Sequence, residues 1–424
     1  MTTVINSVTT GTTIDLGPAV ALSCRECGIR TALGPFYACP ECFGPLEVAY
    51  EFACAGDALR ARIEAGPQNI WRYAPLLPVP GTIAGTPNMN PGGTKLVRAD
   101  NLARELGMKT LWVKDDSGNP THSFKDRVVA VALAAARELG FKVLACPSTG
   151  NLANAVAAAA ARAGIRSVVF VPSNLEQQKI LTTAAYGGTL IAVDGNYDDI
   201  NRLAGEIAGE QEDWAFVNVN VRPYYAEGSK TLGYEVAEQL GWRLPPQVVV
   251  PIASGAQLVK IDKGFSELIA LGLVDDARYR VFGAQATGCS PVSAAFKAGR
   301  DFVQPVRPDT IAKSLAIGNP ADGPYVLDVV NRTGGAIEDV TDEEVIDGIK
   351  LLARTEGIFA ETAGGVTVAV LRKLLAGGLL DPDVETVIFN TGDGLKTLDA
   401  IAHVVGPTAT IPPTLAAFEQ TGLA

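Results

Sequence analysis

From Thr110 to Asn390, short β-branched runs alternate with longer stretches of helical period, and this alternation constrains the fold more than any other feature of the chain. The candidate strands are Val143–Pro147, Ser167–Val171, Thr189–Val193, Val248–Ile252, Arg280–Ala284 and Thr386–Asn390. The candidate helices are Lys125–Glu138, Leu152–Ala163, Leu175–Ala185, Tyr197–Glu210, Gly228–Gln239, Asp342–Glu356 and Gly364–Leu375. Strand followed by helix, repeated, predicts an α/β fold of two open parallel-type sheets flanked by helices. No repeat of solenoid period interrupts it. Residues 286–322 break the alternation and read as loops over a site.

Ahead of this body stands a different kind of segment. Cys24, Cys27, Cys39 and Cys42 form two C-x-x-C pairs with eleven residues between them. Four thiolates at that spacing suit a tetrahedral zinc ion, and a unit this small lacks a core of its own. Its few arginines are balanced by glutamates, so a structural role is expected. The remaining cysteines, Cys54, Cys146 and Cys289, are isolated. An odd total of seven is not a disulfide framework. The expected organisation is a four-cysteine zinc-ribbon-like unit over 14–54, an ordered linker over 55–95, a catalytic domain over 96–405 with a nested subdomain at 143–222, and a tail over 406–424. A hydrophobic fraction of 47% with 19% charged residues argues against disorder. A net charge of −11 without a basic block excludes nucleic acid as an expected partner. No apolar run is long enough to span a bilayer, no signal peptide is visible, and the cytoplasm is the expected compartment.

The chemistry gathers at predicted strand-to-helix junctions, where open α/β sheets bind ligands. Ser123-Phe124-Lys125-Asp126-Arg127 opens a helix whose other face is apolar. A lysine at the wall of an apolar pocket loses solvation, its pKa falls and its amine becomes a nucleophile; the alternative is a solvated first-turn lysine. Ser148-Thr149-Gly150-Asn151 follows a strand and offers hydroxyls, an amide and helix N-terminal N–H groups to an anion, beyond what a plain cap requires. Ala253-Ser254-Gly255-Ala256-Gln257-Leu258 is small enough for backbone to approach a phosphate, although it is neither a Walker loop nor G-x-G-x-x-G. Thr391, in Asn390-Thr391-Gly392-Asp393-Gly394-Leu395-Lys396, stands at a strand tip. The stretch from Asn218 to Thr231 holds Asn220, Arg222, Tyr225 and Lys230, which could bind a second anion. His122 reads as a turn residue and His403 as structural.

S-F-K-D-R, S-T-G-N, a Gly/Ser loop after a central strand, E-G-S-K-T and T-G-D-G-L-K occur here in the order found in pyridoxal-phosphate enzymes of the tryptophan synthase β fold. The S-F-K-D and T-G-x-G-L-K forms resemble the threonine synthases in particular, over roughly residues 65–400, and the cysteine knuckles resemble an N-terminal extension of some of them. The resemblance implies that Lys125 is the Schiff-base lysine of pyridoxal 5'-phosphate and that Asn151 bonds the cofactor's 3-hydroxyl. It places the cofactor phosphate on residues 253–258 and Thr391 at the pyridine nitrogen. Ser123, Ser148 and Thr149 would face the substrate, with Asn220, Arg222, Tyr225 and Lys230 at its phosphate. Many family members carry an arginine where this chain has Tyr225, and Arg222 is the nearest substitute. The implied reaction converts O-phospho-L-homoserine and water to L-threonine and phosphate, in a homodimer. Two alternatives are another enzyme of the fold, such as a phosphoserine β-replacement (cysteate) synthase or a threonine dehydratase, and a non-catalytic zinc-knuckle interaction protein on a decayed scaffold.

Overall fold

The computed structural model describes residues 14–83, 87–148, 150–195 and 197–423. The N-terminal strands β1 (Ala19–Cys24), β2 (Arg30–Thr31) and β3 (Leu46–Tyr50) form an antiparallel sheet in the order β2-β1-β3. Next come α1 (Gly56–Glu64), β4 (Lys95–Arg98), α2 (Asp100–Leu106), β5 (Leu111–Asp115) and α3 (Lys125–Glu138). A second group follows: β6 (Val143–Pro147), α4 (Asn151–Ala163), β7 (Arg166–Pro172), α5 (Gln177–Ala185), β8 (Thr189–Val193), α6 (Tyr197–Glu210) and β9 (Trp214–Phe216). The chain then runs through α7 (Arg222–Glu227), α8 (Lys230–Gln239), β10 (Gln247–Pro251), α9 (Ala256–Ala270), β11 (Arg280–Ala286), α10 (Pro291–Lys297) and α11 (Gly323–Thr333). It closes with β12 (Ile337–Val340), α12 (Asp342–Glu356), α13 (Thr362–Ala376), β13 (Thr386–Asn390) and α14 (Leu415–Glu419).

The α/β expectation holds, and four strands not read from the sequence, β4, β5, β9 and β12, complete the two sheets. A four-stranded parallel sheet runs β8-β7-β6-β9, and a six-stranded sheet runs β12-β11-β10-β13-β5-β4, with β4 antiparallel at its edge. Every residue of β6, β10 and β13 is buried, because helices cover both faces and each strand reads as a continuous apolar run. The segment 65–83 is not a tether. Its 3-10 turn Ile70–Leu76 buries Trp71, Tyr73 and Leu76 in the largest core, against Tyr234 and Phe265. Between β11 and β12 the chain is mostly loop, with α10 as its longest helix before α11.

The helix read as starting at Gly228 starts at Lys230, and α7 precedes it across a break at Gly228-Ser229. The break lets α7 lie against α3. A Cβ on Gly228 would stand 2.6 Å from the Val128 Cα and 2.7 Å from the Arg127 carbonyl oxygen, so only glycine permits this approach.

Beneath that contact lies a buried ionic cluster. The Arg127 guanidinium bonds Asp116 through Nε at 2.6 Å, Glu235 through Nη1 at 2.7 Å and Thr94 through Nη2 at 2.9 Å. Lys114 adds a second cation on Glu235 at 2.6 Å. Burial alone would raise the Glu235 carboxyl, but the Arg127 and Lys114 charges outweigh it and hold it well below the usual carboxylate range. The cluster joins β5, α3 and α8 at one point. Removing its central carboxylate would leave the buried Lys114 without an ion-pair partner and Arg127 with Asp116 alone. Glu235→Ala is therefore expected to lower the unfolding free energy by about 3–5 kcal/mol in denaturant titration. A loss under about 1 kcal/mol, the range of an exposed pair, would show that the cluster is not a structural keystone.

Candidate active site

Three strand tips and the start of α3 converge on a cavity of about 500 Å³. Lys125 enters from α3, Ser148 and Asn151 from the β6–α4 junction, Ala253–Gln257 from the β10–α9 junction and Thr391 from the end of β13. These are the carboxyl ends of parallel strands, where the backbone turns away and leaves a crevice.

Lys125 is the first residue of α3, and its side chain is partly exposed to the cavity. Its Nζ donates to the Tyr225 hydroxyl at 3.0 Å and lies 4.6 Å from the centre of the Phe124 ring. Loss of solvation lowers its pKa to about 8, against the opposing pull of Glu361 and Cys146. Burial raises the Tyr225 hydroxyl, so it stays protonated beside the amine. The Arg127 cluster lies two residues on, roughly 200° round the helix, so locking Arg127 inward aims Lys125 outward.

Glu361, at the N-terminal end of α13, ties two of the expected residues together. It accepts from Asn151 Nδ2 at 2.7 Å and from Thr391 Oγ1 at 3.1 Å. The sequence reading missed it. A single glutamate before a Thr-Ala-Gly-Gly helix start carries no local signal, and its role arises only when β6 and β13 are brought together. Tyr197 also lines the cavity and was not anticipated; its hydroxyl accepts at 3.2 Å from Nδ2 of Asn218, the first residue of the anion-binding stretch, which lines the cavity too.

The β10–α9 junction is shaped for an anion. Gly255 has φ of +97°, and a Cβ there would stand 2.7 Å from Val326. The first turn of α9 therefore presents its backbone N–H groups to the cavity. The Gln257 side-chain amide and the Asn151 carbonyl oxygen are buried without a hydrogen-bond partner among the described residues. Two orphaned polar groups beside a nucleophilic amine and a helix N-terminus fit a polar, phosphorylated group.

Arg222 lines the same cavity and pairs with Asp322 at 2.6 Å. The backbone N–H of Asp322 donates to the Ser254 carbonyl at 2.9 Å, so the arginine's anchor is bonded to the phosphate-shaped loop.

Other expected residues lie elsewhere. Lys230 is fully buried against Glu227 at 2.8 Å and Glu267 at 3.0 Å, and its Nζ also donates to the Leu76 carbonyl; it neutralises buried carboxylates and does not reach the cavity. Asn220 closes the turn after β9, accepting from the Phe216 N–H at 2.9 Å and donating to the Trp214 carbonyl at 3.0 Å. Leu258 belongs to the core. Ser123 is fully buried, bridged to Gly392, and lies behind the cavity wall. Ser148 lines the cavity, but its Oγ already accepts from the N–H groups of Gly150 and Ala153, at 3.0 and 2.9 Å. Thr149 lies outside the described residues. Lys396, from the last motif, holds the Thr121 carbonyl at 2.6 Å and Asn154 at 2.8 Å.

Residues 88–392 match the family described as pyridoxal-phosphate dependent enzymes. The chain belongs to this family. The threonine synthase of Methanocaldococcus jannaschii is 38% identical over 380 residues, covering 89% of this chain and 93% of that protein. The threonine synthase of Methanosarcina acetivorans is 35% identical over 406 residues, covering 94% and 98%. Among solved structures, a fungal L-serine ammonia-lyase from Rhizomucor miehei superposes with a TM-score of 0.62 at 22% identity, covering 73% of this chain and 98% of its own. Threonine deaminase isoform 2 from Solanum lycopersicum gives 0.61 at 18%, covering 83% and 95%. These structures share the fold.

In this family the cofactor's aldehyde must meet a neutral amine. Lys125 is neutral above a pKa of about 8. The rate at which cofactor-free protein captures pyridoxal phosphate is therefore expected to rise with pH through a midpoint near 8. Stopped-flow absorbance across roughly pH 6–10 measures it, and a midpoint near the ordinary lysine value of about 10.4 would contradict the desolvated setting.

Proposed function

We propose that this chain converts O-phospho-L-homoserine and water to L-threonine and phosphate. The observation that carries the reading is the placement of Lys125 in one cavity with an anion-shaped helix start at one part and Arg222 at another. A phosphorylated cofactor and a phosphorylated substrate need two such places. The curated relatives named above, both threonine synthases, support the choice of substrate.

In this reading Lys125 would hold the cofactor covalently, Ala253–Gln257 would take its phosphate, and Asn151 and Thr391, fixed by Glu361, would hold its ring. The cofactor, when bound, supplies the electron sink. The Lys125 Nζ would carry protons among the substrate's Cα, Cβ and Cγ. The Tyr225 hydroxyl keeps that nitrogen near the substrate. Arg222 binds the leaving phosphate at Cγ: a guanidinium has five N–H donors, and Asp322 engages one of its nitrogens. Ser148 and the β6–α4 turn hold the substrate carboxylate, and water adds at Cβ.

Three finer points belong to the same proposal. The four thiol sulfurs of Cys24, Cys27, Cys39 and Cys42 lie within 4.8 Å of one another. Zinc–sulfur bonds of about 2.3 Å place tetrahedral sulfurs about 3.8 Å apart, so these thiols fit one zinc with no open position. All seven cysteines are free, and no described helix is long and apolar enough to cross a membrane, which supports a reducing, cytoplasmic setting. The homodimer rests on the family resemblance.

The direct experiment is product analysis with O-phosphohomoserine against O-phosphoserine, and threonine with equimolar phosphate from the first alone is the expected result. Arg222→Ala is expected to lower kcat/KM about tenfold or more, mainly through KM, with cofactor absorbance unchanged. Arg222→Lys should recover only part, because a point charge does not reproduce bidentate contact. A kcat/KM within about threefold of wild type in Arg222→Ala would remove Arg222 as the phosphate clamp.

A further inference from the structure

The thiol unit is not remote from the cavity. Tyr37, Ala38, Phe43 and Pro45, all from this unit, line the same cavity as Lys125. Phe43 is 82% exposed, more than any other large apolar side chain among the described residues. It also has φ of +60°, a left-handed backbone that is strained for a non-glycine residue. A knuckle needs that conformation only to turn the chain, and glycine would turn it without strain; Gly44 is the next residue. Packing does not explain the aromatic ring, because the ring is exposed.

The way the unit is attached sharpens the point. Its sheet end is fixed to the body by Glu47 on Lys260 at 2.7 Å and by the Tyr50 hydroxyl donating to Glu227 at 2.6 Å. The first knuckle is fixed by the Arg25 guanidinium over the Tyr325 ring, 3.5 Å from its centre, and by the Tyr325 hydroxyl donating to Glu26. The second knuckle, which carries Phe43, meets the first through the sulfurs, with Cys24 and Cys42 at 3.4 Å and Cys27 and Cys39 at 3.7 Å, and through the Arg25 N–H on the Pro45 carbonyl. Tyr37 and Arg222 line the same cavity.

We propose that the thiol unit supplies a substrate-contacting wall of the active site, with Phe43 over the apolar carbons of the bound amino acid and Tyr37 beside Arg222, and that metal held by the four cysteines sets the position of that wall. This rests on the proposed activity and assigns the N-terminal unit a part in substrate affinity. A phenyl ring closing over the substrate would shed its own exposed surface and exclude bulk water from the cavity.

The test uses the cofactor-loaded, metal-loaded full chain. Affinity is read from the change in the bound cofactor's visible spectrum on titrating O-phosphohomoserine, a signal that needs no turnover. Phe43→Gly suits the left-handed φ, so its melting temperature is expected to equal or exceed that of wild type, with cofactor and metal content unchanged. Its dissociation constant and KM are expected to rise about fivefold or more, with kcat within about twofold. Phe43→Asn, which also tolerates this backbone, should agree. Stripping the metal with a chelator should weaken binding by a similar factor, and zinc should restore it. Affinity within about twofold of wild type in both variants overturns the wall, and unchanged affinity after verified metal loss overturns the metal's part in it. A wild type that binds O-phosphohomoserine without forming threonine sinks the proposed activity and leaves the wall open to the same titrations. A wild type that neither binds nor reacts overturns both.

Discussion

The site depends on a guanidinium that never touches it. Arg127 is fully buried among Asp116, Glu235 and Thr94, and Lys114 completes the cluster on Glu235. Such a group is costly to bury unless every donor is met, so its partners must hold their places at the end of β5, in α8 and in the segment before β4. That fixes the rotation of α3. Asp126 adds a second lock by accepting from the Thr121 N–H and hydroxyl at 2.7 and 2.8 Å. With its two following residues held, Lys125 has one direction left, toward the cavity.

Desolvation then does the chemical tuning. Burial brings Lys125 down to about 8. Lys396 is lowered to about 8 by the same cause, yet its amine is occupied by the Thr121 carbonyl and Asn154, so it braces the turn that leads into Lys125. The two lysines differ in partners, not in burial. Among the described residues Lys125 has only the neutral Tyr225 hydroxyl as hydrogen-bond partner, which leaves its nitrogen available to a carbonyl.

Much of this was legible in the sequence because it is local. A strand tip followed by a helix start announces itself through small and capping residues, which is why Lys125, Asn151, residues 253–257 and Thr391 could be named from their motifs and all line the cavity. What failed was non-local. Lys230 and Asn220 sit in the same stretch as Arg222 and Tyr225, but a helix break and a turn point them away, Lys230 toward Glu227 and Glu267 and Asn220 back on β9. Helix α9 was not anticipated, although its first turn lines the cavity. Glu361 and the reach of Tyr37 and Phe43 into the cavity depend on contacts between segments far apart in the chain, and no window of sequence contains them.

The central claim is that one lysine, set apart by its surroundings, holds the cofactor. Borohydride reduction of the cofactor-loaded protein, followed by proteolysis and mass mapping, reads that assignment directly. The account predicts a single pyridoxyl adduct on Lys125. An adduct on Lys396 or Lys179, or no stable adduct in protein that carries the cofactor, would contradict it.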